Sequence, residues 1–131
     1  MIMFSKRSNT LSRHPKTYLN DILEHINRAQ EFAGEMTSEE LIQEIKACYA
    51  ISRCFEIIGE ATTRLPLPLR GKYPEIQWAK IISMRNIIIH DYSGVDYLTV
   101  WKTLKNSLPE LKPQILKILT DFKSFSPLTK E

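Results

Sequence analysis

Apolar residues recur every three or four positions along most of this chain, a spacing typical of helices that bury one face. The first such stretch covers residues 15–32. Pro15 suits a first helical turn, and Gly34 is expected to end the helix. Its predicted buried face comprises Tyr18, Leu19, Ile22, Ile26, Ala29 and Phe32 or Ala33. Since no segment reads as a convincing strand, we predict an all-α protein, an antiparallel bundle of four to five helices.

A second, longer helix is predicted to begin at a capping box. Thr37 can accept from the backbone of the first turn while Glu40 reaches back to cap it. The helix is expected to continue to the residues before Pro66. One face of it would carry Leu41, Ile45, Cys48, Ile51, Phe55, Ile58 and Thr62.

The connection over residues 65–74 is rich in proline. Because each proline restricts the residue before it, residues 65–69 cannot be helical throughout. A connection of about ten residues is long for a compact helical domain and often marks a working loop.

The remaining sequence predicts three more helices. The third begins near Trp78, contains Arg85 and ends between His90 and Ser93. The fourth begins near Val95, and its predicted apolar positions are Leu98, Trp101, Leu104 and Leu108. A fifth is opened by Pro109 and uses Leu111, Ile115, Ile118, Leu119 and Phe122. Residues 123–131 are expected to fray.

Length and composition favour one domain over residues 1–131, with a core of about 13–122 and frayed termini. The net charge of +3 permits an RNA partner but does not argue for one. Cys48 and Cys54 are too few for a disulfide framework or a structural zinc site, so we expect reduced, buried thiols. We find no signal peptide or membrane-length segment and expect a cytoplasmic protein without a membrane partner.

The chemistry concentrates in residues 85–92, which read Arg-Asn-Ile-Ile-Ile-His-Asp-Tyr. Arg85 can grip a phosphate with two parallel hydrogen bonds, and His90 can move a proton near neutral pH. Asn86 can orient the imidazole or donate to a phosphate oxygen. These three candidate catalytic residues suffice to cut RNA by attack of its own 2′-hydroxyl, and no metal or cofactor is required.

Helix geometry separates two of these groups. On a regular helix Asn86 and His90 share a face, whereas Arg85 and His90 lie about 140° apart around the axis. They converge if the helix ends at His90 and the long arginine wraps around it. Alternatively, a second chain supplies the complementary groups, which predicts a homodimer with a shared cleft.

Purely structural roles are an alternative for the same side chains. A mid-helix arginine often only pairs with a carboxylate, and a histidine near a helix C-terminus often only complements the helix dipole. Tyr92 alone suits the edge of a core, and Asp91 suits solvent.

The segment nevertheless resembles the Arg-Asn-x-x-x-His-x-Tyr signature of the HepT-like toxins, a branch of the HEPN superfamily. Residues 18–23, 56–61, 73–78 and 108–111 resemble further segments of that family in the same order. The resemblance covers roughly residues 13–120.

This resemblance implies a dimeric helical bundle that places two signatures in one cleft. It implies a metal-independent endoribonuclease, the toxin of a type VII toxin–antitoxin system, with Arg85, Asn86 and His90 as site residues. It also implies a nucleotidyltransferase antitoxin of the MntA type, which adds AMP to Tyr92. The alternatives are a non-catalytic module that binds a nucleotide or the nucleotidyltransferase, and a purely structural dimeric bundle.

Gly59 lies inside the predicted second helix, where glycine costs about 1 kcal/mol relative to alanine. Close approach of another helix or of a second chain would explain it. A tolerated defect is the duller explanation.

Overall fold

The structure is a computed structural model that describes residues 14–87 and 97–130, with side chains of the last helix described through Phe122. Every regular element in these ranges is helical, which confirms the all-α class. The elements are α1 (Pro15–Ala33), α2 (Ser38–Gln43), α3 (Ile45–Thr63), α4 (Leu67–Gly71), α5 (Trp78–Ile82), a 3-10 segment (Ser83–Asn86), α6 (Tyr97–Lys102), a π segment (Thr103–Ser107) and α7 (Leu108–Lys130).

Helix α1 follows the prediction closely. It begins with proline in its first turn and ends at Gly34, whose φ of 54° lies in the region that favours glycine. The Gly34 N–H donates to the Gln30 carbonyl at 2.9 Å. Of the two candidates for the end of the buried face, Ala33 is buried and Phe32 is 43% exposed.

The capping box is confirmed, but the single long helix predicted after it is wrong. Thr37 Oγ1 accepts from the Glu40 N–H at 3.1 Å, and the Glu40 carboxylate accepts from the Thr37 N–H at 2.9 Å. Glu44 leaves the helical conformation with φ −104° and ψ 78°, which separates α2 from α3. The break changes the register of the buried face, so Leu41 is buried whereas Ile45 is 57% exposed.

The proline-rich connection contains a short helix instead of a loop throughout. Pro66 caps α4 and Pro68 lies in its first turn, where a missing N–H removes no helical hydrogen bond. The indole N–H of Trp78 donates to the carbonyls of Arg70 and Tyr73 at 3.0 and 3.1 Å. The Tyr73 hydroxyl donates to the Asp121 carboxylate of α7 at 2.5 Å, so the C-terminal part of the connection is bonded both to Trp78 and to α7.

The predicted fourth and fifth helices form one continuous stretch from α6 through the π segment into α7. The Leu108 N–H donates to the Thr103 carbonyl, five residues back, instead of four. We attribute the tolerance of Pro109 to this wider turn, since proline clashes with the carbonyl of a regular helix. The helical backbone of α7 extends to Lys130, and fraying of the termini stays a prediction.

The core forms where α1 packs against both α3 and α7. Its largest fully buried side chains are Phe55, Leu19, Ile22, Ile26, Leu41, Ile51, Ile58, Leu65, Leu108, Ile115, Ile118 and Val100. Cys48 and Cys54 are buried free thiols, as predicted. Leu98, predicted to be apolar core, is 54% exposed.

In the described ranges, no helix combines the length and the apolar character needed to span a membrane.

Candidate active site

The first two residues of the signature lie in the 3-10 segment that follows α5. The segment ends at Asn86, and Ile87 leaves it with φ −86° and ψ 87°. The prediction that this helix continues to between His90 and Ser93 is therefore wrong. The Ser52 hydroxyl of α3 donates to the Ile87 carbonyl at 3.2 Å, which fixes the point where the chain leaves the helix.

The 3-10 segment lies directly against α3 at Gly59. A Cβ built on Gly59 would lie 2.8 Å from Arg85 Cβ, from the Arg85 backbone nitrogen and from the Ile82 carbonyl oxygen. Two of these are backbone atoms, which cannot move aside without shifting the segment. Gly59 is therefore glycine because Arg85 approaches it closely, and the tolerated-defect explanation is wrong.

The Arg85 side chain extends past this contact into solvent. Its Nη1 lies 3.3 Å from a carboxylate oxygen of Glu60, and the two side chains are 41% and 58% exposed. An exposed pair of this kind contributes at most about 1 kcal/mol to stability. A guanidinium carries five N–H donors, and in the described residues the contact with Glu60 engages one of its terminal nitrogens. Arg85 therefore does form an ion pair with a carboxylate, and its side chain is still accessible to solvent.

Asn86 is exposed at the end of the segment. Side chains three residues apart are eclipsed in a 3-10 helix, so Asn86 lies above Ser83, on a different face from Arg85. The predicted shared helical face of Asn86 and His90 required a regular helix beyond Asn86, and Ile87 interrupts it. His90, Asp91 and Tyr92 lie outside the described residues, so the convergence of Arg85 with His90 stays a prediction.

The two cysteines are the other candidate nucleophiles among the described residues. Burial raises the pKa of the Cys48 thiol, and the Glu44 carboxylate adds to this effect. Burial also raises the pKa of the Cys54 thiol. Both sulfurs are therefore protonated at neutral pH and are poor nucleophiles. No group of three histidine, cysteine or acidic side chains in residues 14–87 and 97–122 is placed to hold a metal ion.

Sequence reasoning missed Glu60 as the partner of Arg85. The two residues are 25 positions apart, so helical periodicity gives no signal for their contact. The signal that was available is the adjacent Gly59, because a glycine inside a long helix points to something packed against it.

The fold thus defines a site with an exposed arginine and an exposed asparagine on an all-helical bundle. A close contact with a glycine positions the segment that carries both residues. A family model described as Ribonuclease HepT-like matches residues 22–118. The chain therefore belongs to the HepT-like ribonuclease family, and the prediction of a ribonuclease of this family is confirmed.

Individual relatives agree with this family. The chain is 44% identical over 109 residues to "Putative RNase MJ1216" of Methanocaldococcus jannaschii, covering 83% of this chain and 90% of that protein. It is 39% identical over 108 residues to "Probable ribonuclease HepT" of Thermococcus cleftensis, covering 82% and 98%. No solved structure matches the chain significantly.

Proposed function

We propose that the chain is the toxin of a type VII toxin–antitoxin system and a metal-independent endoribonuclease that acts in the cytoplasm. The observation that carries the proposal is the placement of Arg85, whose backbone is packed against Gly59 while its guanidinium remains exposed. A cation whose backbone is packed in place and whose charge is accessible suits a phosphate-binding catalytic group.

The proposed reaction uses the nucleophile that RNA itself supplies. One imidazole removes the proton of the 2′-hydroxyl, whose oxygen attacks the adjacent phosphorus. The bond to the 5′-oxygen breaks, and that oxygen takes a proton from a general acid. His90 is the proposed base or acid, and His90 of a second chain takes the other role.

Arg85 stabilises the charge that builds on the nonbridging phosphate oxygens. Two of its N–H groups can hold the phosphate while Glu60 keeps the guanidinium oriented from the side of α3. Asn86 is proposed to orient the imidazole or to donate to a phosphate oxygen. Because the 3-10 segment points Asn86 and Arg85 to different faces, the two side chains would approach the phosphate from different directions.

The proposed assembly is a homodimer whose two signatures share one cleft. Because Ile87 is non-helical, helix geometry does not fix the placement of His90 relative to Arg85 within one chain. A second copy supplies the complementary groups in this proposal.

The proposed partner is a nucleotidyltransferase antitoxin of the MntA type that transfers AMP to Tyr92. The added phosphate would lie two residues from His90, where the RNA phosphate has to bind. Like-charge repulsion and steric filling would then block the site. Intact mass should rise by one or more AMP groups on co-expression with a cognate transferase and stay unchanged for Tyr92→Phe. A parent protein that never gains mass contradicts this switch.

Arg85→Ala and His90→Ala each test the chemistry. We expect either change to lower the rate of RNA cleavage by at least about 100-fold, because each removes a group that acts in the transition state. Circular dichroism should show an unchanged helix content, since Arg85 is exposed. The measurement is cleavage of total RNA and of defined oligonucleotides by unmodified protein.

Arg53→Ala is the matched control. Arg53 lies on α3, and it pairs with Glu56 at 3.1 Å in an exposed contact of the same kind. This variant should cleave RNA like the parent. If Arg85→Ala and His90→Ala also cleave like the parent, the proposed chemistry is wrong. If unmodified parent protein binds the transferase but cleaves no RNA, the chain acts as the non-catalytic binding module.

A further inference from the structure

A pocket of about 200 Å³ opens beside the 3-10 segment, and Gly59 is not among the residues that line it. One wall comes from α5, the 3-10 segment and Ile87, and the other from α6, the π segment and α7. Ser83 and Met84 line it, and these residues directly precede Arg85 in the chain. The same 3-10 segment therefore lines the pocket and carries Arg85.

The inner surface of the pocket is apolar. Ile81, Met84 and Leu111 line it, and each is less than a tenth exposed. A flat aromatic ring loses its water against such a surface at little cost. The thioether of Met84 adds a polarisable contact that is favourable to aromatic rings.

The rim of the pocket carries hydrogen-bonding side chains from both walls. Gln77 lies at the start of α5, and Gln114 and Glu110 lie on α7. An amide side chain presents a donor and an acceptor side by side, and a carboxylate presents acceptors. The edge of a nucleobase offers the complementary groups, and single-stranded RNA is read through such edges.

The π segment is a second, independent observation at the same place. Both of its ends, Thr103 and Ser107, line the pocket. π-turns are rare, and they occur frequently at functional sites. In the described residues this irregular turn coincides with the pocket wall.

We propose that this pocket binds a nucleobase of the RNA strand whose phosphate Arg85 holds, an inference that rests on the proposed function. The base inserts between the two walls with its face on Met84 and its edge at Gln77 and Gln114. The backbone of the same strand then passes the exposed end of the 3-10 segment, where Asn86 and Arg85 lie. The pocket makes cleavage depend on the identity of one base near the cut.

The first test detects the base directly. Protein labelled with ¹³C at methionine methyl groups is titrated with AMP, GMP, CMP and UMP. We expect saturable shifts of the Met84 signal with at least one nucleotide. The signal of Met36, which packs against the core and does not line the pocket, should stay in place. This experiment tests whether the pocket binds the base of a free nucleotide.

The second test asks whether the pocket binds a base of the RNA substrate. Cleavage of oligonucleotides that differ at one base beside the cut gives a ratio of kcat/KM values. Gln114→Leu keeps the side chain's bulk and removes its hydrogen bonds, so it should reduce this base preference by roughly tenfold. Gln77 lies on the opposite wall and is exposed, so Gln77→Leu should also reduce the base preference. This second variant keeps the test valid if Gln114→Leu does not fold. Gln30→Leu on α1, outside the pocket, is the matched control and should keep the preference.

The outcomes separate the pocket from the catalytic proposal. If the parent cleaves RNA, the glutamine variants keep its base preference and Met84 does not shift, the pocket inference is overturned and the proposed function stands. If the parent cleaves no RNA, the proposed function fails. A saturable Met84 shift then still supports a nucleobase pocket, and an unmoved Met84 signal overturns it.

Discussion

Residue 59 sets the position of the arginine by having no side chain. A Cβ at this position would lie 2.8 Å from two backbone atoms, which leaves no space for even one methyl group. Glycine costs about 1 kcal/mol of helix propensity here. The structure shows what the glycine permits, which is close packing between α3 and the segment that carries Arg85.

Gly59→Ala tests this contact. Helix propensity alone would stabilise the protein, but overpacking against backbone atoms costs typically about 1–3 kcal/mol. We expect a net loss of stability in chemical denaturation, together with slower RNA cleavage because Arg85 moves. Gly71→Ala is the matched control, since nothing lies within 4 Å of a Cβ at that position. Its stability should change by no more than about 0.5 kcal/mol. A Gly59→Ala protein more stable than the parent would show that the contact is not tight.

At the scale of elements, a single hydrogen bond fastens the connection between α3 and α5 to α7. Tyr73 donates to Asp121, whose carboxylate also lies 3.5 Å from the Lys117 ammonium. Burial and the hydrogen bond to Asp121 raise the pKa of Tyr73 to about 12 from its ordinary value of 10.0. The same hydrogen bond lowers the pKa of Asp121 below its ordinary value.

This contact predicts alkaline weakening of the fold. The pKa of Tyr73 is higher in the folded state than in the unfolded state. The contribution of protonated Tyr73 to the stability of the fold is therefore fully present below pH 10 and is lost as pH rises toward about 12. Stability measured by denaturant at several pH values should therefore fall over that window. Tyr73→Phe should be less stable at neutral pH and should show a shallower alkaline decline.

Two variants separate this contact from general alkaline effects. Asp121→Asn should flatten the alkaline decline partly, because it removes the carboxylate charge that opposes tyrosinate formation. Tyr97→Phe, a tyrosine on α6, should keep the parent's decline. An unchanged alkaline slope in Tyr73→Phe would show that another group controls it.

At the scale of the whole molecule, the proposed shared cleft can be tested by mixing the parent with the inactive His90→Ala variant. The proposed reaction uses His90 of both chains, so a dimer of one parent chain and one His90→Ala chain has no complete site. After random exchange in an equal mixture, RNA cleavage should fall to about a quarter of the parent's at the same total protein concentration, because only parent dimers cleave. If each chain cleaves with its own His90 alone, cleavage should fall only to about half. Light scattering of each protein checks that dimers are present.

Periodicity located most of the bundle because helix formation and one-sided burial are local properties. It correctly gave the extent of α1, the capping box and most of the buried face of α3. It failed at Glu44 and at the junction of α6 and α7. A single non-helical residue or one π-turn leaves the apolar spacing on either side almost unchanged.

For this protein, the sequence alone determined the helical class, most of the core face of each long helix and the signature that carries Arg85, Asn86, His90 and Tyr92. The tertiary structure decided where the signature helix ends, that Gly59 and Glu60 position the arginine, and that residues 77–87 and 99–114 enclose a pocket. The reason is physical: a helix and its buried face depend on neighbours three or four residues apart. Contacts between residues 25 or 48 positions apart exist only after the helices have packed.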